Sequence, residues 1–337
     1  MNTTGVRTLL KLRIPSKALK EEFAKRFLDD LVERVKNGVI EKKKDGSVKK
    51  QYSLSDKAKE ILLPGWNTSD PDDSILKNLL IYEPEPLKSL NDSLQAKLDG
   101  LFFGKPSKSD LLKIFGYEKM FNSSKSNAYW LSKKIDSNTC VYCNRLYAFT
   151  IEKGNGKNDA ERIARPAFDH WFDKSDYPLM SLSLCNLIPS CTICNSSVKG
   201  KTKFDLATHT HPYVHETGHP DITFKVSLST NVPPQYSVTI DTPPGSKEER
   251  TVKDMMLQEV YAMHGELEVR DIMEFNKAYP AGYLKQLFAD VLKASSHKLT
   301  RSEVYRMLFG TEMDSSKFLD RPLSKMKYDI LKYLGVI

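Results

Sequence analysis

Apolar residues recur at helical spacing along the first third of the chain, which predicts a mainly helical N-terminal region. Phe23, Phe27, Leu28, Leu31 and Val35 fall on one face of residues 16–37, the three-to-four spacing of an amphipathic helix. Ser16 stands where an N-cap belongs. Ahead of it, residues 6–14 read as a short strand or an extended arm. Residues 41–50 form a charged turn in which Asp45-Gly46 permits a tight hairpin. Residues 63–74, rich in Pro, Gly, Asp and Ser, read as a loop. Short helices are predicted at about 73–81, 87–100, 108–121 and 124–136.

The pattern changes after residue 140. Residues 145–151 predict a strand, 153–158 a turn, and 163–169 a second strand ending at Asp169-His170. From Cys191 through Lys199 a helix is expected. The order strand, strand, helix is a ββα pattern. Residues 222–228 and 236–240 alternate as two further strands around a turn at 231–234, and 253–335 return to helical periodicity. The expected fold class is therefore α+β in three segments. Residues 1–136 form a basic, mainly helical region, 137–220 a module carrying the site, and 221–337 a short β-hairpin followed by helices.

Charge sharpens this division. The chain carries a formal net charge of +8 over 337 residues. Residues 1–60 hold 16 Lys/Arg against 9 Asp/Glu, whereas the remaining 277 hold 35 against 34. A basic N-terminal segment fits attraction to a polyanion, and it fits a solvated helical face as well. Lys42, Lys43 and Lys44, beside Lys49 and Lys50, are the candidate phosphate contacts. No apolar run approaches the ~18 residues of a membrane span, and Met1–Gly5 has no secretory hydrophobic segment. A soluble, cytoplasmic protein is expected.

The five cysteines change the picture most. Four lie in two Cys-x-x-Cys pairs, Cys140/Cys143 and Cys191/Cys194. In a reducing compartment such pairs point to metal rather than disulfide, so a structural Zn²⁺ held by all four thiolates is expected. The gap of 47 residues between the pairs exceeds the ~15–20 of a plain zinc ribbon. An inserted hairpin bearing Asp169-His170 would fill it. Asp169 is a hard oxygen ligand suited to a catalytic Mg²⁺ or Mn²⁺. His170 can take a proton from water. Asn195, beside the second pair, offers an amide oxygen as a second ligand, and Asn186 can tie down the loop bearing His170 through backbone hydrogen bonds. Cys185, among Leu182, Leu184, Leu187 and Ile188, reads as a small buried apolar residue.

The run Asp169-His170-Trp171, Asn186-Leu187, Cys191-Thr-Ile-Cys194-Asn195 and Lys199-Gly200 resembles the HNH (ββα-metal) endonuclease family over about residues 140–205. The resemblance implies that His170 is the general base, Asp169 and Asn195 are metal ligands, and Asn186 orients the base. The pattern here is a His-Asn-Asn variant. It further implies Lys199 as a phosphate contact, with a helix-surface lysine as the alternative. The segment Phe172–Leu179 followed by Asn186–Cys191 is similar to the HNH subunits of bacterial anti-phage systems such as Septu, which work beside an ATPase. On that resemblance the flanking regions bind DNA or a partner, with RNA also open as substrate. A zinc-scaffolded nucleic-acid-binding module without catalysis is the alternative, and the intact Asp-His pair argues against it. His209, His211, His215 and His219 form a second histidine-rich stretch, read as turn residues because Pro212, Gly218 and Pro220 interrupt it. His264 and His297 are expected to be structural.

Overall fold

Ser16 starts a 21-residue helix, α1 (Lys17–Asn37), by accepting a hydrogen bond from the Leu19 N–H. Phe23, Phe27, Leu31 and Val35 are buried at one per turn. Each such side chain contributes roughly 1.5–3 kcal/mol by leaving water. Gly38 ends the helix at φ 75°, and a Cβ at this position would collide with the carbonyl oxygen of Tyr52. The chain then turns at once into the antiparallel hairpin of β1 (Val39–Lys42) and β2 (Val48–Tyr52). Asp45 closes it by accepting from the Ser47 N–H at 2.8 Å.

The computed structural model describes residues 9–123, 125–135, 137–153, 161–215, 222–230, 233, 235–279, 283–286 and 299–337. Within the N-terminal region follow α2 (Asp56–Leu62), α3 (Ser74–Ile81), α4 (Pro84–Asp99), α5 (Lys108–Phe115), a π-helical segment Glu118–Ser123 and α6 (Lys125–Ile135). The helix predicted over 108–121 is broken because Gly116 caps α5 in the left-handed region, at φ 65°. Helix α2 had no apolar stripe to announce it, since only Ala58 and Leu62 are buried.

The strands expected at 145–151 and 163–169 do not form the ββα unit. Ile151–Lys153 (β3) pairs with Glu161–Ala164 (β4), and Ala167–His170 (β5) pairs with Leu187–Ser190 (β6). Pro166 separates β4 from β5, because a proline has no N–H to continue a ladder. Strand β6 is buried at all four positions, so it shows no alternation. Residues 154–158 of the expected turn lie outside the described residues. After β6 comes the π-helix Ile193–Lys199.

The C-terminal region holds β7 (Thr223–Leu228) and β8 (Tyr236–Asp241), paired antiparallel. Helices α7 (Lys247–Asp254), α8 (Leu257–Ala262), α9 (Arg270–Ala278), α10 (Tyr283–Gln286), α11 (Arg301–Phe309) and α12 (Ser324–Tyr333) complete it. Residues 231, 232 and 234 of the predicted turn, along with His219 and His297, lie outside the described residues. Asp329 on α12 accepts from the Phe224 N–H at 2.9 Å and from Lys325, which joins the hairpin to the last helix.

The result is a mixed α+β fold of helices and small two-stranded sheets. One contiguous set of buried apolar side chains runs through all three segments, including Leu10, Phe27, Trp171, Ile188, Tyr261 and Ile330. The N-terminal arm is pinned into it. The Leu10 N–H donates to the Val141 carbonyl at 2.9 Å and the Leu12 N–H to that of Pro212 at 2.8 Å. Among the described residues no helix is long and apolar enough to cross a membrane.

Candidate functional site

The two cysteine pairs converge. The sulfurs of Cys140, Cys143, Cys191 and Cys194 lie within 4.8 Å of one another, and all four residues are buried. Thiolates around a tetrahedral ion at Zn–S of about 2.3 Å stand about 3.8 Å apart, so this cluster could hold a metal ion such as zinc. The Cys194 N–H points at the Cys191 sulfur at 3.4 Å.

The first knuckle is docked on the C-terminal region. Asn144 sits at φ 44°, and its amide donates to the carbonyls of Phe318 at 2.9 Å and Arg321 at 3.1 Å. The Tyr261 hydroxyl donates to the Cys143 carbonyl at 2.5 Å. The second knuckle joins β6 to the π-helix. A metal in the cluster would therefore clamp β6, the π-helix and the C-terminal helices together.

Strand β5, strand β6 and the π-helix make a compact ββ-helix unit. In register, Asp169 opposes Ile188 and His170 opposes Leu187. On an ideal strand these neighbours would face opposite sides. His170 ends β5, and both residues line one cleft of about 340 Å³ together with Asn195 and Lys199. Tyr117, Glu118, Arg165, Asp173 and Lys174 also line this cleft, and sequence reasoning gave none of them a site role. Asp173 and Lys174 fall within the Phe172–Leu179 segment, whereas Tyr117, Glu118 and Arg165 belong to no spaced motif.

His170 Nε2 lies 2.9 Å from the Ser181 carbonyl oxygen. A carbonyl only accepts, so Nε2 carries the proton and Nδ1 keeps its lone pair. Burial of the ring lowers its pKa to about 4, despite the Ser181 contact, with the Lys174 charge adding to the depression. The imidazole is thus neutral at pH 7. The His170 and Tyr117 rings meet in a T-shaped contact, with centroids 4.3 Å apart.

Asn186 does not line the cleft. It is fully buried behind it and binds three backbone groups of the 171–186 loop. Its Oδ1 accepts from the Phe172 N–H at 2.7 Å, while its Nδ2 donates to the carbonyls of Phe172 at 3.1 Å and Met180 at 3.0 Å. Asn186 is a positioning residue: it holds the loop that presents the Ser181 carbonyl to His170. The Ser183 hydroxyl bonds the Leu79 carbonyl, so α3 supports this loop from behind.

Lys199 is not the helix-surface lysine that stood as the alternative. It is buried, and its ammonium binds Asp169 Oδ1 at 3.0 Å and Oδ2 at 2.8 Å. It also donates to the His170 carbonyl at 2.6 Å and approaches that of Trp171 at 3.3 Å. A buried ammonium requires anionic or carbonyl oxygens close by, and here it has them. The Tyr142 hydroxyl adds a hydrogen bond to Asp169 Oδ2 at 2.5 Å. Burial and the Asp169 charge push that phenol well above its usual pKa.

The cleft continues into a groove of about 730 Å³ that shares Tyr117, Glu118 and Lys174 with it. Lys42, Lys113 and Lys119 also line this groove. Lys43 and Lys44 stand in the exposed hairpin turn and line neither space. Lys49 is drawn to Glu41 at 3.2 Å, and the Lys50 ammonium lies over the Tyr52 ring.

Among the described residues the later histidines belong to no group that could hold a metal ion. His209 binds Asp254 at 3.0 Å, and His211 is buried against the Trp171 ring. His215 contacts the Leu12 carbonyl at 2.7 Å, and His264 is bracketed by Arg145 and Glu268. Cys185 is buried, and burial pushes its thiol up to about 12.

No family model matches this sequence, and neither a curated protein nor a solved structure matches it.

Proposed function

We propose that this chain is an endonuclease of the HNH (ββα-metal) type, acting on DNA phosphodiester bonds with His170 as the general base. The observation that carries this reading is one cleft lined by a neutral histidine, an acid and an amide, mounted on a β-hairpin and a helix tied to a four-cysteine cluster. The bound Nε2 proton leaves Nδ1 free to take a proton from water as water attacks phosphorus. Arg165 and Lys174, at the cleft wall, are suited to draw in the phosphate charge. Asn186 holds the loop that fixes the ring.

Asp169 and the Asn195 amide are hard oxygen donors of the kind Mg²⁺ or Mn²⁺ prefers. As arranged, however, they do not fit such an ion. Both Asp169 oxygens accept from Lys199, and one also accepts from Tyr142. This same observation favours a second reading, a zinc-scaffolded nucleic-acid-binding module without catalysis. A plasmid-nicking assay in Mg²⁺ or Mn²⁺ separates the two. Cleavage by the wild type that His170→Ala abolishes supports the nuclease. Binding without cleavage in either protein supports the module, and parallel assays on RNA decide the substrate.

The narrower proposal is an anti-phage effector working beside an ATPase. It is supported by the resemblance of the Phe172–Leu179 and Asn186–Cys191 segments. Co-purification with an ATPase from the native host tests it.

A further inference from the structure

We infer that Lys199 is the resident cation of this cleft, and that a divalent ion reaches Asp169 only by displacing the lysine ammonium. The inference rests on reading the cleft as a nuclease centre.

The geometry leaves little room for another arrangement. An ammonium has three donors, and Nζ of Lys199 has four oxygens between 2.6 and 3.3 Å. The side chains of Lys199 and Asp169 are only 4% and 6% exposed. Asp169 accepts twice from Lys199 and once from Tyr142, which uses three of the roughly four lone-pair positions of a carboxylate. Magnesium demands near-octahedral oxygens at about 2.0–2.1 Å, and an ammonium 2.8 Å from Oδ2 and 3.0 Å from Oδ1 stands where an ion held by both oxygens would sit. The two cations are therefore alternatives at one carboxylate. Lys199 is the last residue of the π-helix, before Gly200 at φ 49°. Its Nζ is also held by the carbonyls of His170 and Trp171, at the end of β5. Displacement would therefore free the backbone carbonyls of His170 and of the residue after it. The lysine neutralises the centre, because without it Asp169 would be a buried charge left with the Tyr142 hydrogen bond in place of an ion pair.

The test uses the full-length, zinc-replete protein without nucleic acid, and Mn²⁺ as the probe. Free Mn²⁺ is counted by electron paramagnetic resonance during titration. Lys199→Met removes the ammonium but keeps the stem. Its affinity for Mn²⁺ should rise at least tenfold over wild type, and Lys199→Arg should retain the weak wild-type affinity. Asp169→Asn added to Lys199→Met should abolish the gain. Unchanged or weaker Mn²⁺ binding by folded Lys199→Met overturns the inference. Should Lys199→Met fail to fold in chelator, folding restored by Mn²⁺ supports it. For the case where it folds in neither, amine-reactive labelling of wild-type Lys199 is decisive. Labelling should rise several-fold at saturating Mn²⁺ over chelator, and no change overturns the inference. These readouts need no cleavage, so they stand apart from the nicking assay on which the nuclease reading depends.

Discussion

The Nε2 atom of His170 lies 2.9 Å from the carbonyl oxygen of Ser181, eleven residues further along a loop that folds back over the end of β5. This contact sets the tautomer. It also couples the ring to the 171–186 loop, whose shape depends on Asn186. A proton acceptor at the cleft is thus the joint product of a strand end, a carbonyl and a buried amide.

His170→Ala should lower single-turnover cleavage by ~10²–10⁴ and leave DNA affinity within twofold. Fluorescence anisotropy with a labelled oligonucleotide checks the second part. The pH profile of the wild type should be flat through neutrality, with its acid limb near 4 rather than 6.5, because burial holds the ring neutral. An acid limb at 6.5 would place the base elsewhere.

Folding stability should fall as the solution is acidified from pH 7 to 4.5. Unfolded, His170 titrates at its ordinary value. Folded, it titrates at about 4, and His211 is also held well below the ordinary value by burial. Between those values the unfolded chain binds more protons, so stability is complete above the ordinary value and is lost on descending through this window. Urea midpoints at several pH values measure it. In His170→Gln the dependence should be shallower.

Protein purified without chelator should contain one zinc per chain by elemental analysis. Cys191→Ser, or a strong chelator, should release β6 and the π-helix together and lower the melting temperature, since metal binding and folding of such a unit are linked. Well-folded protein with zinc near zero would refute the assignment.

Asn186→Ala should destabilise the fold by about 2–4 kcal/mol, because it strips partners from buried backbone groups. Cleavage should suffer mainly in kcat rather than KM, since the side chain lies outside the cleft. Asn186→Asp keeps the acceptor for the Phe172 N–H and should recover part of the stability. Urea denaturation with steady-state kinetics distinguishes these outcomes.

If the groove guides a polynucleotide, Lys42, Lys113, Lys119 and Lys174 are its phosphate contacts. Each change to Gln should make the slope of log K against log salt shallower by roughly 0.9 on duplex DNA or 0.7 on a single strand. Lys43→Gln and Lys44→Gln, outside the groove, should leave the slope unchanged. Equal effects at both sets would reduce the groove to a generally basic surface.

Local signals were sufficient where one stretch of chain satisfies itself. Ser16 and the Phe23–Val35 stripe defined α1, and Asp45-Gly46 defined the first hairpin. The two cysteine pairs announced a metal cluster, because x₂ spacing already sets two sulfurs on one turn. The residue types Asp169, His170, Asn186 and Asn195 were likewise legible as a set. Pairing was not. Strand β6 is buried on both faces and carries a proline, so its partner could be known only once Ala167–His170 lay beside it. Helix α2 was hidden because it buries only Ala58 and Leu62 and so shows no apolar stripe, and the break at Gly116 because a glycine inside a helical pattern does not by itself reveal a left-handed cap.

The amino-acid sequence by itself therefore determined the helical first third, the α+β class and the chemistry available between Cys140 and Lys199. Only the tertiary structure decided that Asn186 works from behind the cleft, that Lys42 lines a groove leading to His170, and that Lys199 faces Asp169 rather than solvent. The reason is physical. A charge's role depends on its distance to other charges and to water. Asp169 and Lys199 are thirty residues apart in the chain yet 2.8 Å apart in the fold, a separation that no spacing rule encodes.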